Sequence, residues 1–275
     1  MLSVAEHTIA VVDVGSNSLH LQIVRGEEVL VVRRSAIRLG EFVGRCIPLP
    51  AVHATVEALE QFDEEARRHG AELHVFATAA LRDADNRNEV LSLVPFPIRV
   101  LSGVEEAAMV YMGASRALGV EGSAVVFDLG GRSTEVIRGE GFRPLECFSL
   151  PFGHLTLTPG VPPDFRTVDH LRGRLVGTAG TALTLGNMAA AKRGESPSSR
   201  HGLPVSLGEL EDLVEALDRS HDPASLPGSD PRRADTLRAG AHGVLTLVRA
   251  LGAPGFITSE GGLRSGLIED CRSAC

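Results

Sequence analysis

Two short turns carry the most distinctive chemistry of this chain. Asp13-Val14-Gly15-Ser16-Asn17-Ser18 and Asp128-Leu129-Gly130-Gly131-Arg132-Ser133 share the form D-x-G-x-x-S. In each, an aspartate stands near the end of an apolar run and a glycine follows two residues later. A glycine after a strand lets the backbone turn sharply and approach a ligand. Consecutive N–H groups in such a turn form a nest for an anion. Ser16, Ser18, Ser133 and Thr134 add hydroxyl donors. Asp13 and Asp128 stand where a carboxylate can hold Mg2+, directly or through water. Either turn alone also reads as an ordinary hairpin tip. Two of them, with matched acids and matched spacing, point to anion binding.

Other residues fit the same chemistry. Gly177-Thr178-Ala179-Gly180-Thr181-Ala182 lies between a strand pattern and a helix pattern. Helix starts offer unused N–H groups and a positive dipole end, so this loop is a candidate phosphate or nucleotide contact, or simply a packed strand–helix joint. Glu105 and Glu106 follow Ser102-Gly103 at the start of a helix. Acids are common in a first helical turn for dipole reasons alone, yet an acid at such a junction can also orient and deprotonate a water. Arg38, Arg82 and Arg264 stand at similar junctions and are candidates to offset negative charge on a substrate.

The elements that must position these groups alternate between short β-like runs and longer helical ones. Residues 8–14, 19–24 and 28–34 read as successive strands, the last two joined by a tight turn at Arg25-Gly26-Glu27. A helix is expected over 51–69, a strand over 73–78, a helix over 83–93 opened by Asp83, a strand over 97–102 and a helix over 103–118. The series then restarts with strands at 123–129, 134–139 and 143–150. An irregular piece follows, then a strand at 174–179 and a helix at 181–191. Residues 192–204 read as loop. Helices at 206–219 and 233–251, a strand at 254–261 and a last helix from Leu263 complete the chain. This order implies α/β layers in two similar halves.

Composition sets outer limits. Of 275 residues, 43% are hydrophobic and 23% charged, enough for real cores. No apolar run approaches the roughly 18 residues that a membrane span needs, and the N-terminus reads as a first strand rather than a signal peptide. With 27 basic and 35 acidic residues the net charge is −8, a poor balance for generic nucleic-acid binding. There is no Trp and one Tyr, which removes base-stacking platforms. Cys46, Cys147, Cys271 and Cys275 are scattered, as expected for reduced thiols in a cytoplasmic protein.

Taken together, DVGSNSLHLQIV, RLGEFV, FATAALRDADN, LSGVEEA, FDLGGRSTEV, SLPFGHLTLT, VGTAGTA, RHGLPVSLGEL and ITSEGGLRSGLIED are similar to the ordered motifs of one family. The chain resembles the exopolyphosphatase/guanosine pentaphosphate phosphatase (Ppx/GppA) family of the actin-like superfamily. The resemblance implies two actin-like, ribonuclease H-like α/β domains, 1–121 and 122–275, with a cleft between them and the last helix packing back on the first. It implies Mg2+-assisted release of terminal phosphate from polyphosphate or guanosine pentaphosphate. Glu106 matches the catalytic glutamate, and Asp128 and Glu135 match acids that support metal and attacking water. Asp13 opens the first phosphate loop, which runs through Gly15, Ser16, Asn17 and Ser18. Gly130, Gly131, Arg132, Ser133 and Thr134 form the second. Arg82 matches an active-site arginine, and Arg264 matches the arginine of the C-terminal G-L-R segment, expected to bind phosphate. Gly177, Thr178, Gly180 and Thr181, with Arg38, are expected to contact nucleotide or phosphate chain.

The chain also departs from the family pattern. Arg132 replaces a glycine of the usual G-G-G-S loop, His20 stands where arginine is common, and the stretch between Thr158 and Arg174 is short. The family's optional C-terminal helical extension is expected to be absent. A non-catalytic sensor of a guanosine penta- or tetraphosphate signal is the alternative. An ATP-dependent kinase of the same superfold is a third reading. The resemblance leaves a homodimer open.

Overall fold

The computed structural model describes residues 7–42, 46–158 and 161–274. The first six residues, Val43 of the RLGEFV segment and Cys275 lie outside them.

The chain divides into two compact units. One holds the residues through Glu105 together with those from Leu267 onward. The other runs from Glu106 to Gly266. Packing therefore divides the chain at Glu105/Glu106, whereas the strand series restarts at Ser123.

In the first unit, β1 (Thr8–Val14) is a near-continuous apolar run and sits centrally, between two hydrogen-bonded neighbours. It pairs antiparallel with β2 (Leu19–Arg25), which pairs antiparallel with β3 (Glu28–Ser35). On its other side β1 runs parallel to β4 (Glu72–Ala77), and β4 parallel to β5 (Ile98–Val100). Strand β2 alternates, burying Leu19, Leu21 and Ile23 while His20 and Gln22 are half-buried, as a period of two requires. Helix α1 (Leu49–Arg68) buries Val52, Thr55, Leu59, Phe62 and Ala66 at helical spacing. Its apolar side joins Val12, Val14, Leu21 and Val75 in the core of this unit.

One expectation fails here. The helix expected over 83–93 begins only at Arg87, as α3 (Arg87–Leu93), and Asp83, expected to open it, is instead the C-cap of a separate short helix before it, α2 (Ala79–Arg82). The break has a tertiary cause. The Asn86 side chain accepts from the Ile47 N–H at 2.8 Å and donates to the Ile47 carbonyl at 3.0 Å. Aspartate and asparagine are also poor in a helix interior.

Helix α4 (Gly103–Ala117) crosses from the first unit into the second. There β6 (Ser123–Leu129), β7 (Thr134–Glu140) and β8 (Arg143–Leu150) form an antiparallel meander. Strand β9 (Arg174–Thr178) lies parallel to β6, and α5 (Ala179–Lys192) follows it. Next come β10 (Pro204–Ser206), α6 (Leu207–Arg219), α7 (Leu237–Ala250), β11 (Gly255–Ser259) and α8 (Leu263–Ala274). The sheet order is β10-β11-β9-β6-β7-β8. A capping box between Ser206 and Glu209 opens α6. Strand β10 was not anticipated: three residues at a loop's end carry no readable alternation.

Alternation sorts this sheet into two faces. Val125, Phe127, Leu129 and Val136 face the large core shared with α5, α6 and α7. Ala124, Val126, Ile137 and Val176 face Ala107, Val110, Tyr111 and Ala114 of α4.

Candidate active site

The first D-x-G-x-x-S turn joins β1 to β2. Asp13 is the register partner of His20, and Val14 of Leu19. The Gly15 N–H closes the turn on the Ser18 carbonyl at 3.2 Å. The second turn joins β6 to β7 in the same frame. Asp128 partners Glu135, Leu129 partners Thr134, and the Gly130 N–H donates to the Ser133 carbonyl at 3.0 Å. The sequence echo is thus a structural duplication with the same strand lengths, register and closing bond.

Each turn is supported from outside. The Gly40 N–H, in the 3-10 turn Leu39–Phe42, donates to the Ser16 carbonyl at 2.8 Å. In the second unit the N–H groups of His154 and Leu155 donate to the carbonyls of Gly130 (3.0 Å) and Gly131 (2.8 Å). The Thr134 hydroxyl donates to the Phe152 carbonyl at 2.7 Å.

Acid placement differs between the units. Across the second sheet, Thr178, Asp128, Glu135 and Ser149 form one file of register partners on β9, β6, β7 and β8. By the alternation of β6 and β7, this file shares the face on which α4 packs. Glu135 is only 2% exposed and accepts a 2.8 Å hydrogen bond from the Ser149 hydroxyl. Glu106, in the first turn of α4, is 6% exposed. In the first unit the matching file is Arg34, His20, Asp13, Phe76 and Arg99.

The two neighbouring glutamates separate cleanly. Glu105 is half-buried and closes a capping box: Oε2 accepts from the N–H and hydroxyl of Ser102, both at 2.8 Å, and Oε1 accepts from Arg99 at 3.0 Å. The Ser102 N–H, then its hydroxyl, then Arg99 hold the Glu105 carboxyl down to about 2. Glu105 serves the helix start, and Glu106 is the buried acid beside it.

Some anticipated residues are already engaged. The Thr178 hydroxyl donates to the carbonyls of Ser259 (3.0 Å) and Gly261 (2.5 Å). The Thr181 hydroxyl donates to Leu129 at 3.5 Å. What this loop can offer a ligand is therefore backbone rather than those hydroxyls. Arg82 ends α2, donates to the Leu101 carbonyl at 3.2 Å and stands 3.3 Å from Asp83. Arg38 is mostly exposed and stands 3.6 Å from Glu41. Arg264 is the second residue of α8.

Sequence reasoning missed Arg233 and His154. A Cβ added at Gly180 would lie 1.6 Å from the Arg233 guanidinium, so that side chain rests directly on the third glycine loop. No motif announces it, because its position depends on a distant 3-10 turn, Pro231–Arg233. His154 is buried behind the second turn. Burial first, then the positive charge of Arg233, push its imidazole down to about 4, against a hydrogen bond to the Leu129 backbone and the charge of Asp235.

Among the described residues no group of three or more His, Cys, Asp or Glu is assembled around a metal position. Mg2+ does not need one: it commonly takes one or two carboxylates, and water and phosphate oxygens complete its shell. The Asp128–Glu135 pair fits that donor set. No helix of the described residues is long and apolar enough to cross a membrane.

Two sheets, each built around an acid-ended hairpin turn, define an α/β protein of the actin-like class. The model of the Ppx/GppA phosphatase family matches residues 21–273, and the chain belongs to that family. It is 30% identical to exopolyphosphatase 1 of Mycobacterium leprae over 94% of this chain and 88% of that protein. It is 33% identical to a guanosine-5'-triphosphate,3'-diphosphate pyrophosphatase of Vibrio cholerae over 56% of this chain. It spans only 33% of that relative's length. In fold it is similar to the Aquifex aeolicus Ppx/GppA family member, with a TM-score of 0.83, 23% identity and coverage of 98% and 99%. An exopolyphosphatase from Cytophaga hutchinsonii gives a TM-score of 0.84 at 20% identity, covering 98% of each chain.

Proposed function

We propose that this protein hydrolyses the terminal phosphoanhydride bond of polyphosphate or guanosine pentaphosphate. The observation that carries the reading is the second turn beside the register pair Asp128–Glu135, a pair on the sheet face that α4 covers. Family membership and the names of its relatives support the same class of substrate.

In this reading the backbone N–H groups of the second turn hold the terminal phosphoryl group. Glu106 orients a water and takes its proton as the water oxygen bonds to phosphorus. The bond from phosphorus to the bridging oxygen breaks, and the shortened chain leaves as the anion. Asp128 and Glu135 would hold Mg2+, which would neutralise charge on the phosphate oxygens. Arg264, in the same unit as the second turn, is a further anion contact. Positioning and charge stabilisation suffice for phosphoryl transfer of this kind.

Phosphate release from both substrates, with Mg2+, tests the reading on wild type and Glu106→Ala. The variant should lose about 10²- to 10⁴-fold in rate. Binding without turnover by the wild type would instead favour a sensor, and full activity in Glu106→Ala would remove the assigned base.

A further inference from the structure

The backbone bonds behind the second turn decide which way its own N–H groups point. The His154 N–H holds the Gly130 carbonyl, and the Leu155 N–H holds the Gly131 carbonyl. A peptide group is planar and trans, so its N–H points opposite to its C=O. With those two carbonyls drawn toward residues 154 and 155, the N–H groups of Gly131 and Arg132 are directed the other way, side by side.

This approach requires Gly153. A Cβ there would lie 2.4 Å from the Gly130 carbonyl oxygen, 2.6 Å from the Arg132 nitrogen and 2.6 Å from the Gly131 carbonyl carbon. Thr156 shapes the supporting turn: its hydroxyl accepts from the Gly153 N–H at 2.9 Å and donates to the Gly153 carbonyl at 3.0 Å. The first unit has the same device from an unrelated segment. There the Gly40 N–H holds the carbonyl of Ser16, the residue at the position of Gly131, and directs the Asn17 N–H away.

We propose that the 152–156 segment is a positioning device that presets the peptide planes of residues 130–132, so that two N–H groups converge on the oxygens of a bound phosphoryl group. Gly153 and Thr156 act through Gly131 and Arg132 and need not touch the ligand. The proposal rests on the reading of the second turn as an anion site. It goes beyond that reading in assigning the orientation of the nest to a separate segment. A preset donor pair costs no reorganisation when charge develops, and removing one such donor typically costs about 10²- to 10³-fold in kcat.

The test compares Thr156→Val, Thr156→Ser and Gly153→Ala, with Gly139→Ala as control. Gly139 lies toward the far end of β7 and is equally crowded, 2.3 Å from the Tyr111 ring and 2.4 Å from the Arg143 carbonyl oxygen. Turnover and binding are both measured with tripolyphosphate and Mg2+, the binding by calorimetry. Thr156→Val should lower kcat about tenfold with KM nearly unchanged, and Thr156→Ser should restore it. Gly153→Ala should lower kcat about a hundredfold. Gly139→Ala should lose thermal stability and keep its kcat below its unfolding temperature. If Gly153→Ala does not fold, the Thr156 pair decides. An active wild type with undiminished kcat in Thr156→Val overturns the positioning role and leaves the hydrolase reading standing. If the wild type binds tripolyphosphate without turnover, the hydrolase reading fails and affinity decides. A severalfold weaker Thr156→Val then supports the device, and unchanged affinity overturns it. A wild type that neither binds nor turns over tripolyphosphate overturns both.

Discussion

Asp128 and Glu135 face each other across β6 and β7 as register partners, while the matching position in the first unit pairs Asp13 with His20. The duplicated frame therefore presents two carboxylates in one unit and an acid beside an imidazole in the other. A hard cation prefers the oxygen pair. Asp128→Asn should raise the Mg2+ concentration for half-maximal phosphate release by about tenfold or more, and Asp13→Asn by less. A chelator should stop turnover. Equal Mg2+ titrations for wild type and Asp128→Asn would move the metal elsewhere.

The Glu105 carboxylate is a helix cap, and its loss should be felt as stability. Glu105→Ala should cost about 1 kcal/mol, read in thermal or denaturant unfolding. Glu105→Gln should cost less, because glutamine also closes a capping box. The sign of the pH effect follows from the lowered folded pKa of about 2 against 4.5. The contribution of Glu105 is complete above about pH 4.5 and fades as pH falls toward 2. An alanine variant with unchanged unfolding at pH 7 would contradict the capping role.

His154 should destabilise the fold in a different window. Its folded pKa, about 4, lies below the ordinary 6.5, so the unfolded chain takes up a proton first as pH falls. Stability is complete above pH 6.5 and declines down to pH 4, by about 3 kcal/mol at roughly 1.4 kcal/mol per unit. Denaturant unfolding of wild type and His154→Asn at pH 7, 5 and 4 would read it. The variant should have the flatter dependence, and identical slopes would show that other groups set the acid limb.

Helix α4 and the start of α8 meet backbone to backbone in the second unit. A Cβ at Gly113 would stand 2.0 Å from the Gly262 carbonyl oxygen, and one at Gly266 2.0 Å from the Met109 carbonyl oxygen. Neither helix can yield without moving main chain. Gly113→Ala should therefore cost about 1–3 kcal/mol and lower the thermal midpoint by several degrees. A variant as stable as wild type would mean that the contact opens freely.

What could be read without coordinates was whatever announces itself through residue type. The two turns were legible because a sharp post-strand bend needs glycine, and an anion site needs acids and hydroxyls nearby. The β1, β2, β6 and β7 pattern was legible because burial alternates or runs continuously there. The supporting roles of Gly40 and of residues 152–156 were not, since they act through main-chain N–H groups that every residue but proline carries. Arg233 was hidden because its neighbour, Gly180, is distant in sequence. The break at Asp83 was missed because the Asn86–Ile47 bonds are tertiary, and local propensity does not encode them.

The first unit is completed by the end of the chain: Asp270 joins Arg99 at 2.8 Å, and the Arg272 guanidinium donates to the Gly26 carbonyl. On the ribosome, β1 to β5 emerge long before their closing helix does, whereas every residue of the second unit has been made by Gly266. The half translated last can therefore consolidate before the half translated first. The early strands must be kept from pairing with other chains until α8 has emerged.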